Sequence, residues 1–489
     1  MIKLLRVLVF PLLFVAIAVP IWTSRIVEGQ SASEAPTGFD TLTNDPTFVS
    51  QATHDDDRGT FEERDDVVKG LGPVYNAQSC AECHQNPVTG GISQISELRA
   101  GHNDGSGNFV PATLTINDGG GLTGVTIANR SLINQRATCP GVVTDLVTHA
   151  VIYNHPNEQA QERVPGAETV RTRRMTTNLL GLGFVESISN TTLQNIPNGQ
   201  PSGMKGQVTF VPVAEANNAL RIGRFGWKSQ DASLLTFSSG AYLNEMGITN
   251  RFNTAEVTTL CDDVSDTTRC NNNSNVVCGE DPDNDIDAFA RFMRATKAPS
   301  RDARLAATAS AQAGASLFHS IGCDICHIAT LTTAPAGTLI NGGAFTVPAA
   351  LGNKNIHPYS DFLLHDVGTG DGIAQVIDPN TGQLDQTMKN KMRTAPLWGV
   401  RTRNELMHDG ENYTRNEAIL RHANEANGVI NSYRNLSTND AKEPVDRFSE
   451  FLVTRLGTPW VGPALNSAGL TYLHCFAEPR LRLHIRKAR

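Results

Sequence analysis

The 489-residue sequence predicts a mainly α fold of two domains, with long loops and some short β hairpins in the first domain. Two observations favour this class. The motif Cys-x-x-Cys-His occurs twice, at residues 80–84 and 323–327, in a chain long enough for two or three domains. Helical spacing surrounds the second motif, whereas residues 101–226 are rich in Gly, Asn and Thr with short apolar runs, a pattern typical of hairpins.

The chain divides into four segments. In residues 1–33, Lys3 and Arg6 precede an apolar run from Val7 to Trp22, which predicts a signal peptide or an uncleaved N-terminal anchor. Either form places the body of the protein outside the cytoplasm, in the periplasm or otherwise exported. Residues 34–300 form the first predicted domain, with a long insert. Residues 301–460 form the second domain, and residues 461–489 form a basic tail.

Turn residues and apolar spacing predict the elements in chain order. They are a break at Leu71-Gly72-Pro73, hairpin strands within Ala112–Ile116 and Gln207–Val213, and helices at Asp231–Met246, Asp285–Thr296, from about Ala303 through Phe318, and from Thr414 onward. Thr414 and Glu417 form a capping box, which marks the start of the last of these helices. The second domain closes with a helix that ends near Leu456.

The two Cys-x-x-Cys-His motifs carry the chemistry. Attachment of haem c needs two thiols that add to the porphyrin vinyl groups and an adjacent imidazole that binds the iron. These groups are Cys80, Cys83 and His84 in the first motif and Cys323, Cys326 and His327 in the second. Zinc would need four ligands at matching spacing, and a redox dithiol would sit in a βαβ context. The motifs therefore predict two covalent haem c groups in two cytochrome-c-like domains.

The second axial position of each iron decides between electron transfer and catalysis. His422 is the best candidate, because Ile419, His422, Ala423 and Ala426 fall on one helical face downstream of the second motif. The alternative is a buried histidine satisfied by hydrogen bonds within the core. The predicted metal ligands are therefore His84, His327 and His422.

Three further histidines are weak candidates for catalytic residues. His365 and His408 are each followed by an aspartate that would orient the ring, as occurs around metal sites. A hydrogen bond that anchors a loop is the alternative for both. His102 lies eighteen residues after His84 and is a candidate distal ligand or acid–base group for the first haem.

Three larger side chains also have two interpretations. Trp227 is either a packing anchor or an electronic bridge between the haems. Arg393 and Arg401 flank Pro396-Leu397-Trp398-Gly399 and either pair with haem propionates or stay exposed on a loop.

Charge and cysteine content limit the partners. The formal net charge is −8 and no basic field is present, which excludes nucleic acid. Nine cysteines suit an exported protein. The pairing of the five outside the motifs stays open; they are Cys139, Cys261, Cys270, Cys278 and Cys475.

Several sequence blocks resemble one bacterial family. They are Gly70–Ser79, Gly223–Lys228, Pro358–Asp366, Arg393–Gly399, Leu406–Gly410 and Glu417–Ala426. They resemble the di-haem oxidoreductases related to the di-haem cytochrome c peroxidases and the methylamine-utilisation di-haem enzymes. The resemblance implies two cytochrome-c-like domains packed face to face. One haem would be a six-coordinate site where electrons enter, and the other would bind peroxide or another oxidant.

One position departs from the peroxidases of this group. A methionine stands there where this chain has His422, so the resemblance implies two histidine ligands and a lower reduction potential at the C-terminal haem. No residue of this chain is matched to the distal glutamate of those peroxidases.

The leading hypothesis is a peroxidase-like oxidoreductase that takes electrons at the C-terminal haem and reduces peroxide at the N-terminal haem. A redox partner protein would supply the electrons, and contact with a membrane would occur only through an uncleaved N-terminal anchor. A pure electron-transfer cytochrome with two six-coordinate haems is one alternative. The other is a di-haem oxidase or oxygenase that acts on an organic or protein substrate.

Overall fold

The computed structural model describes residues 31–115, 126–138, 142–144, 148, 151–154, 161–258, 279–438 and 451. The predicted signal segment, apart from its last three residues, the basic tail and the five cysteines outside the motifs lie outside these ranges. Across the residues that are described, none of the helices combines the length and the apolar character needed to cross a membrane.

Helices occur along the whole described chain. The α-helices are α1 (Gln51–Glu62), α2 (Cys80–Cys83), α3 (Leu182–Glu186), α4 (Asn190–Gly199), α5 (Leu234–Met246), α6 (Asp285–Ala295), α7 (Ala303–Ala306), α8 (Ala309–Ser320), α9 (Arg415–Leu420) and α10 (Asn427–Thr438). Short 3-10 helices lie at Val67–Lys69, Ser202–Met204, Ala214–Ala216, Cys323–Ile325, Asn341–Gly343, Gln386–Met388, Val400–Thr402 and Asn424–Ala426.

Strands concentrate between the first motif and α3. They are β1 (Ser33–Glu34), β2 (Val74–Tyr75), β3 (Ser96–Asn103), β4 (Phe109–Thr115), β5 (Thr126–Arg130), β6 (Leu132–Ile133), β7 (Arg136–Ala137), β8 (Val142–Thr144), β9 (Val151–Asn154), β10 (Val170–Met175), β11 (Phe210–Val213), β12 (Ala219–Ile222), β13 (Leu331–Thr332), β14 (Leu339–Ile340), β15 (Phe345–Thr346), β16 (Lys354–Ile356), β17 (Leu364–His365) and β18 (Met392–Arg393). The largest sheet has the order β10-β3-β4-β5, with β6 also paired to β3.

Helices and strands both contribute to the described fold, so the mainly α part of the prediction is not clearly shown. The predicted hairpins are present, because β4 contains most of the first apolar run and β11 pairs with β12. The first domain also contains strand pairs that the sequence did not predict. One is the antiparallel β3–β10 pair, in which Ser96 lies opposite Met175. Sequence separation hides this pairing: the two strands lie about 70 residues apart, and local apolar patterns do not report long-range partners.

Helix α6 matches its prediction closely. Its acidic first turn, Asp285 and Asp287, and its basic last-turn residue Arg294 complement the helix dipole. Helices α1 and α5 pack against it, and its buried face joins the largest apolar core cluster. Helix α5 ends at Gly247 (φ 74°), whose Cα lies against Gly72 of the predicted chain break.

Two predicted helices are broken. The helix predicted from Ala303 through Phe318 divides into α7 and α8, because the Thr308 side chain caps a new helix by accepting the N–H of Ala311. The last predicted helix begins at the Thr414 capping box as expected. It stops at Leu420, and the chain resumes a helical course only after the extended Ala423.

The N-terminal arm crosses the predicted domain boundary. Strand β1 pairs in parallel with β16 of the second segment, and Ser33 N–H donates to the Asn353 carbonyl. Farther along, Gly38 N–H donates to the Ala298 carbonyl. Residues before the first motif therefore help to hold the two halves together.

Candidate functional site

The first motif lines a cavity of about 1410 Å³. Helix α2 carries both cysteines, and it begins where Ser79 Oγ accepts the N–H of Glu82 at 3.2 Å. His84 follows directly. The opposite walls come from β3, β10, α5 and α6, so the cavity is built almost wholly by the first half of the chain.

The second motif lines a cavity of about 1330 Å³. Cys323 and Cys326 lie in a tight turn that Gly322 opens with φ 91°, a conformation that favours glycine. His327 follows it. The remaining wall comes mainly from residues 392–430, including α9 and the start of α10.

Three histidines in these cavities share one hydrogen-bonding pattern. Nδ1 contacts a backbone carbonyl in each: His84 with Gly91 at 3.3 Å, His327 with Tyr359 at 2.9 Å and His422 with Ala418 at 2.8 Å. A carbonyl only accepts, so Nδ1 carries the proton and Nε2 keeps the lone pair that binds a metal.

Burial keeps these rings neutral. It lowers the pKa of His84 to about 4 and that of His327 to about 3, and it also lowers the pKa of His422. His327 and His422 lie near enough for the charge of His422 to lower the pKa of His327 further. All three are in the state that a metal ligand needs at neutral pH.

The motif thiols are protonated and held inside the protein. Burial raises the pKa of Cys80, and it raises the pKa of Cys83 and of Cys323 to about 12. The pKa of Cys326 is also raised by burial. Redox dithiols have lowered thiol pKa values, so these environments argue against that alternative.

The two cavities differ in histidine content. Among the described residues that line them, the N-terminal cavity contains one histidine, His84. The C-terminal cavity contains His327, His365, His408 and His422. The C-terminal cavity therefore offers a second imidazole for an iron, whereas the described lining of the N-terminal cavity does not.

The His365 ring is held between two carboxylates. Its nitrogens donate to Asp361 Oδ2 at 2.9 Å and to Glu425 Oε2 at 2.8 Å, and Nδ1 lies 3.7 Å from the sulfur of Cys326. Burial alone would lower the pKa of His365, but these hydrogen bonds raise it to about 12. A protonated ring has no lone pair, so His365 supports the motif rather than binding iron.

Trp227 lies between the cavities and lines both. Its indole N–H donates to the Met175 carbonyl at 2.7 Å, and its own carbonyl accepts the N–H of Arg393 at 2.8 Å. His408 packs edge-on against it, with ring centroids 6.2 Å apart. Gly226, with φ 71°, makes the turn that presents the indole.

His408 and His102 have different surroundings. His408 is buried, its Nδ1 has no hydrogen-bond partner in the described residues, and burial lowers its pKa to about 4. His102 is about one third exposed and pairs with Glu168 at 2.8 Å. It does not line the N-terminal cavity. The structure therefore gives no support to His102 as a distal ligand.

The predicted propionate-binding arginines separate. Arg393 lines the C-terminal cavity, whereas Arg401 stacks over Phe39 outside it. Arg403 and Arg415 also line this cavity, and neither was predicted from the sequence. Little in the sequence favoured selecting them, because arginine side chains are mostly solvent-exposed.

A carboxyl pair in the N-terminal cavity was also missed. Glu97 on β3 and Glu245 on α5 both line this cavity, near enough for the charge of Glu97 to act on Glu245. Burial, then the Glu97 charge, raise the pKa of Glu245 to about 7. Burial also acts to raise the pKa of Glu97, but the bidentate Arg99 outweighs it and the pKa is lowered. At neutral pH Glu245 is therefore partly protonated, whereas Glu97 is ionised.

The two cavities thus define a protein with two separate sites, each fitted to a haem by a thiol pair and a neutral imidazole. The family described as "Di-haem oxidoreductase, putative peroxidase" matches residues 153–449, more than half of the chain. The chain belongs to this family, which confirms the resemblance and the oxidoreductase class and implies two haems. The second motif and Trp227 lie inside the matched range, whereas the first motif precedes it.

Solved structures give weaker similarities. Hydrazine synthase of Kuenenia stuttgartiensis under 20 bar xenon aligns with a TM-score of 0.22 and 18% identity, covering 35% of this chain and 55% of that chain. This chain thus spans about half the length of that relative. A MauG-like protein associated with microbial copper homeostasis aligns with a TM-score of 0.28 and 15% identity. The alignment covers 57% of this chain and 91% of that chain. No curated protein matches the chain.

Proposed function

We propose that the chain is an exported c-type di-haem oxidoreductase that reduces peroxide. One haem is attached through Cys80 and Cys83, and the other through Cys323 and Cys326. The observation that carries the proposal is the histidine content of the described cavity linings, with one in the N-terminal and four in the C-terminal.

The C-terminal site is the one that transfers electrons. His327 and His422 would hold the iron of this haem through Nε2, because their Nδ1–H groups contact backbone carbonyls and keep both rings in the required tautomer. Two strong ligands leave no position for a substrate. A redox partner protein outside the cytoplasm supplies electrons here.

The N-terminal site is the one that binds the oxidant. His84 would hold the iron here, and the described cavity lining contains no second histidine that would serve as a further ligand. An iron with an open axial position binds and activates peroxide. The described wall includes Glu97, Arg99 and Glu245, whose polar groups suit a small polar oxidant.

Glu245 and Glu97 manage the proton. Peroxide takes up two electrons and two protons as its O–O bond breaks, giving two waters. The Glu245 carboxyl has a pKa of about 7 and donates one proton, while Arg99 keeps Glu97 ionised. An acid whose pKa lies near the working pH donates and recovers its proton most effectively.

Trp227 provides the route between the sites. It lines both cavities and is fixed at its indole N–H and at its carbonyl. The rigid aromatic ring shortens the distance that electrons cross through saturated groups. Its position supports transfer from the C-terminal to the N-terminal site.

The test is the optical spectrum of the purified protein, oxidised and then reduced stepwise in the presence of cyanide. We expect one haem to show a high-spin signal and to bind cyanide. The Cys80→Ala/Cys83→Ala variant should lose that signal, and the Cys323→Ala/Cys326→Ala variant should keep it. Haem staining after denaturation reports covalent attachment.

The alternatives give different results. If both haems stay low-spin and bind no cyanide at any step of the reduction, the protein is an electron-transfer cytochrome rather than a peroxidase. Cyanide binding without peroxide turnover would instead favour an oxidase or oxygenase of organic or protein substrates.

A further inference from the structure

The arginines of the two cavities differ in their partners. In the N-terminal cavity every described lining arginine pairs with a carboxylate: Arg99 with Glu97, Arg136 with Glu82 and Arg174 with Asp371. In the C-terminal cavity Arg393, Arg403 and Arg415 line the wall, and none forms an ion pair within the described part of the chain.

Arg393 and Arg403 are close enough to repel each other. Burial, and then the positive charge of Arg403, lower the pKa of Arg393 to about 10. Burial lowers the pKa of Arg403 to about 10 as well. Both side chains also line a smaller space of about 400 Å³ that reaches Trp227 from the C-terminal cavity. The two cations are therefore withdrawn from water without an ion-pair partner among the described residues.

The hydrogen bonds of Arg393 do not provide a counter-charge. Its Nε donates to the Gly226 carbonyl at 2.6 Å and its Nη1 reaches the Thr394 carbonyl at 3.4 Å. The acid with an electrostatic effect on it, Asp361, is already held by His365 and Gln200. An anion from outside the polypeptide would balance these charges.

We propose that Arg393 and Arg403 form a carboxylate-binding site for the propionates of the C-terminal haem. The planar guanidinium of Arg403 can bind a carboxylate bidentately, and Arg393 keeps its Nη2 group for a second carboxylate, so that the two arginines match the two propionates of one haem. This inference rests on the proposed presence of that haem. It assigns a role that Arg401, two residues before Arg403, does not share.

The experiment compares Arg393→Gln and Arg403→Gln with the matched control Arg401→Gln. All three remove one positive charge from neighbouring positions, but Arg401 lies outside the cavity. Spectroelectrochemical titration at pH 8 gives the midpoint potential of each haem, and resonance Raman spectra give the propionate bending bands.

We expect both test variants to lower the midpoint potential of the C-terminal haem and to shift its propionate bands. An unpaired propionate leaves its negative charge to favour the oxidised iron. Arg401→Gln should leave both readouts at the wild-type values. Equal potentials and unchanged bands in all variants would overturn the proposal.

A lysine variant and added acetate complete the experiment. If a Gln variant does not fold, Arg403→Lys keeps the charge but loses the planar fork, so we expect shifted Raman bands with a potential near the wild-type value. Unshifted bands in that variant would also overturn the proposal. Acetate added at constant ionic strength should change neither readout in the wild type, because the propionates already occupy the arginines. A response to acetate would overturn the proposal and indicate a site for free anions instead.

The haem count separates this inference from the proposed function. A protein without a haem at Cys323 and Cys326 would refute the proposed function itself. A haem attached at Cys323 and Cys326 whose midpoint potential is unchanged by the Arg393 and Arg403 variants would refute this inference but not the proposed function.

Discussion

Asp371 is the residue whose loss should destabilise the protein most clearly. Its side chain is fully buried and accepts from Arg174 at 2.8 Å and from Lys228 at 2.9 Å, both of which are also buried. Arg174 lines the N-terminal cavity and Lys228 follows Trp227, whereas Asp371 belongs to the second half of the chain. Two buried cations therefore share one carboxylate at the junction between the two sites.

The size of the effect follows from the charges. Burial acts to raise the pKa of Asp371, but Arg174 and then Lys228 outweigh it and lower the pKa from 3.8 to about 2. At roughly 1.4 kcal/mol per pKa unit, the ionised form is favoured by about 2–3 kcal/mol. Removing one partner of a buried pair costs about 3–5 kcal/mol. We expect Asp371→Asn to lower the free energy of unfolding by about 3 kcal/mol.

Urea unfolding followed by circular dichroism measures this change. The control is Asp283→Asn, which removes the same charge from an exposed position. Because the folded-state pKa is depressed, the stabilisation is present above pH 3.8 and is lost as pH falls toward 2. A difference below about 1 kcal/mol at pH 7 would refute the reasoning on buried charge.

Three functional predictions accompany it. Peroxide turnover should fall as pH rises through about 7, because Glu245 then loses its proton. Glu245→Gln should lower kcat/KM by about 10²-fold or more and abolish this fall with pH. A pH profile that is the same in the variant and the wild type would exclude Glu245 as the acid. His422→Ala should open the C-terminal haem, so that added imidazole binds and restores the low-spin spectrum in an optical titration; a spectrum like the wild type before imidazole is added would remove His422 as a ligand. Trp227→Phe should slow electron transfer between the haems in stopped-flow traces while leaving both resting spectra intact. A rate equal to that of the wild type would mean that electrons do not pass through Trp227.

Short-range patterns predicted part of the site well. Cys80, Cys83 and His84 lie within one short motif, so their meeting at the wall of one cavity follows from their adjacency in the sequence. His422 was found because apolar residues mark the face that lines the cavity, even though the helix ends before it. Trp227 was found with two interpretations, and its position between the cavities supports both packing and electron transfer.

Long-range pairings could not be predicted from local patterns. Glu97 and Glu245 are 148 positions apart, and only the folded chain brings both to one cavity, where the charge of Glu97 raises the pKa of Glu245. The sequence also does not show that Arg403 lines the cavity while Arg401 does not, because this depends on the 3-10 turn at Val400–Thr402. The β3–β10 pair was missed for the same reason: sheet partners lie far apart in sequence.

The charges around the two cavities support the proposed division of work. The N-terminal wall carries acids that satisfy its described arginines and add the protonatable Glu245. Nearby carboxylates favour the more positive, oxidised states of an iron, as a site that passes electrons to peroxide requires. The C-terminal wall instead holds the neutral imidazoles of His327 and His422, together with arginines that form no ion pair among the described residues. Propionates bound there would be neutralised, so that His327 and His422, as the proposed ligands, would be the main influence on the potential of this haem.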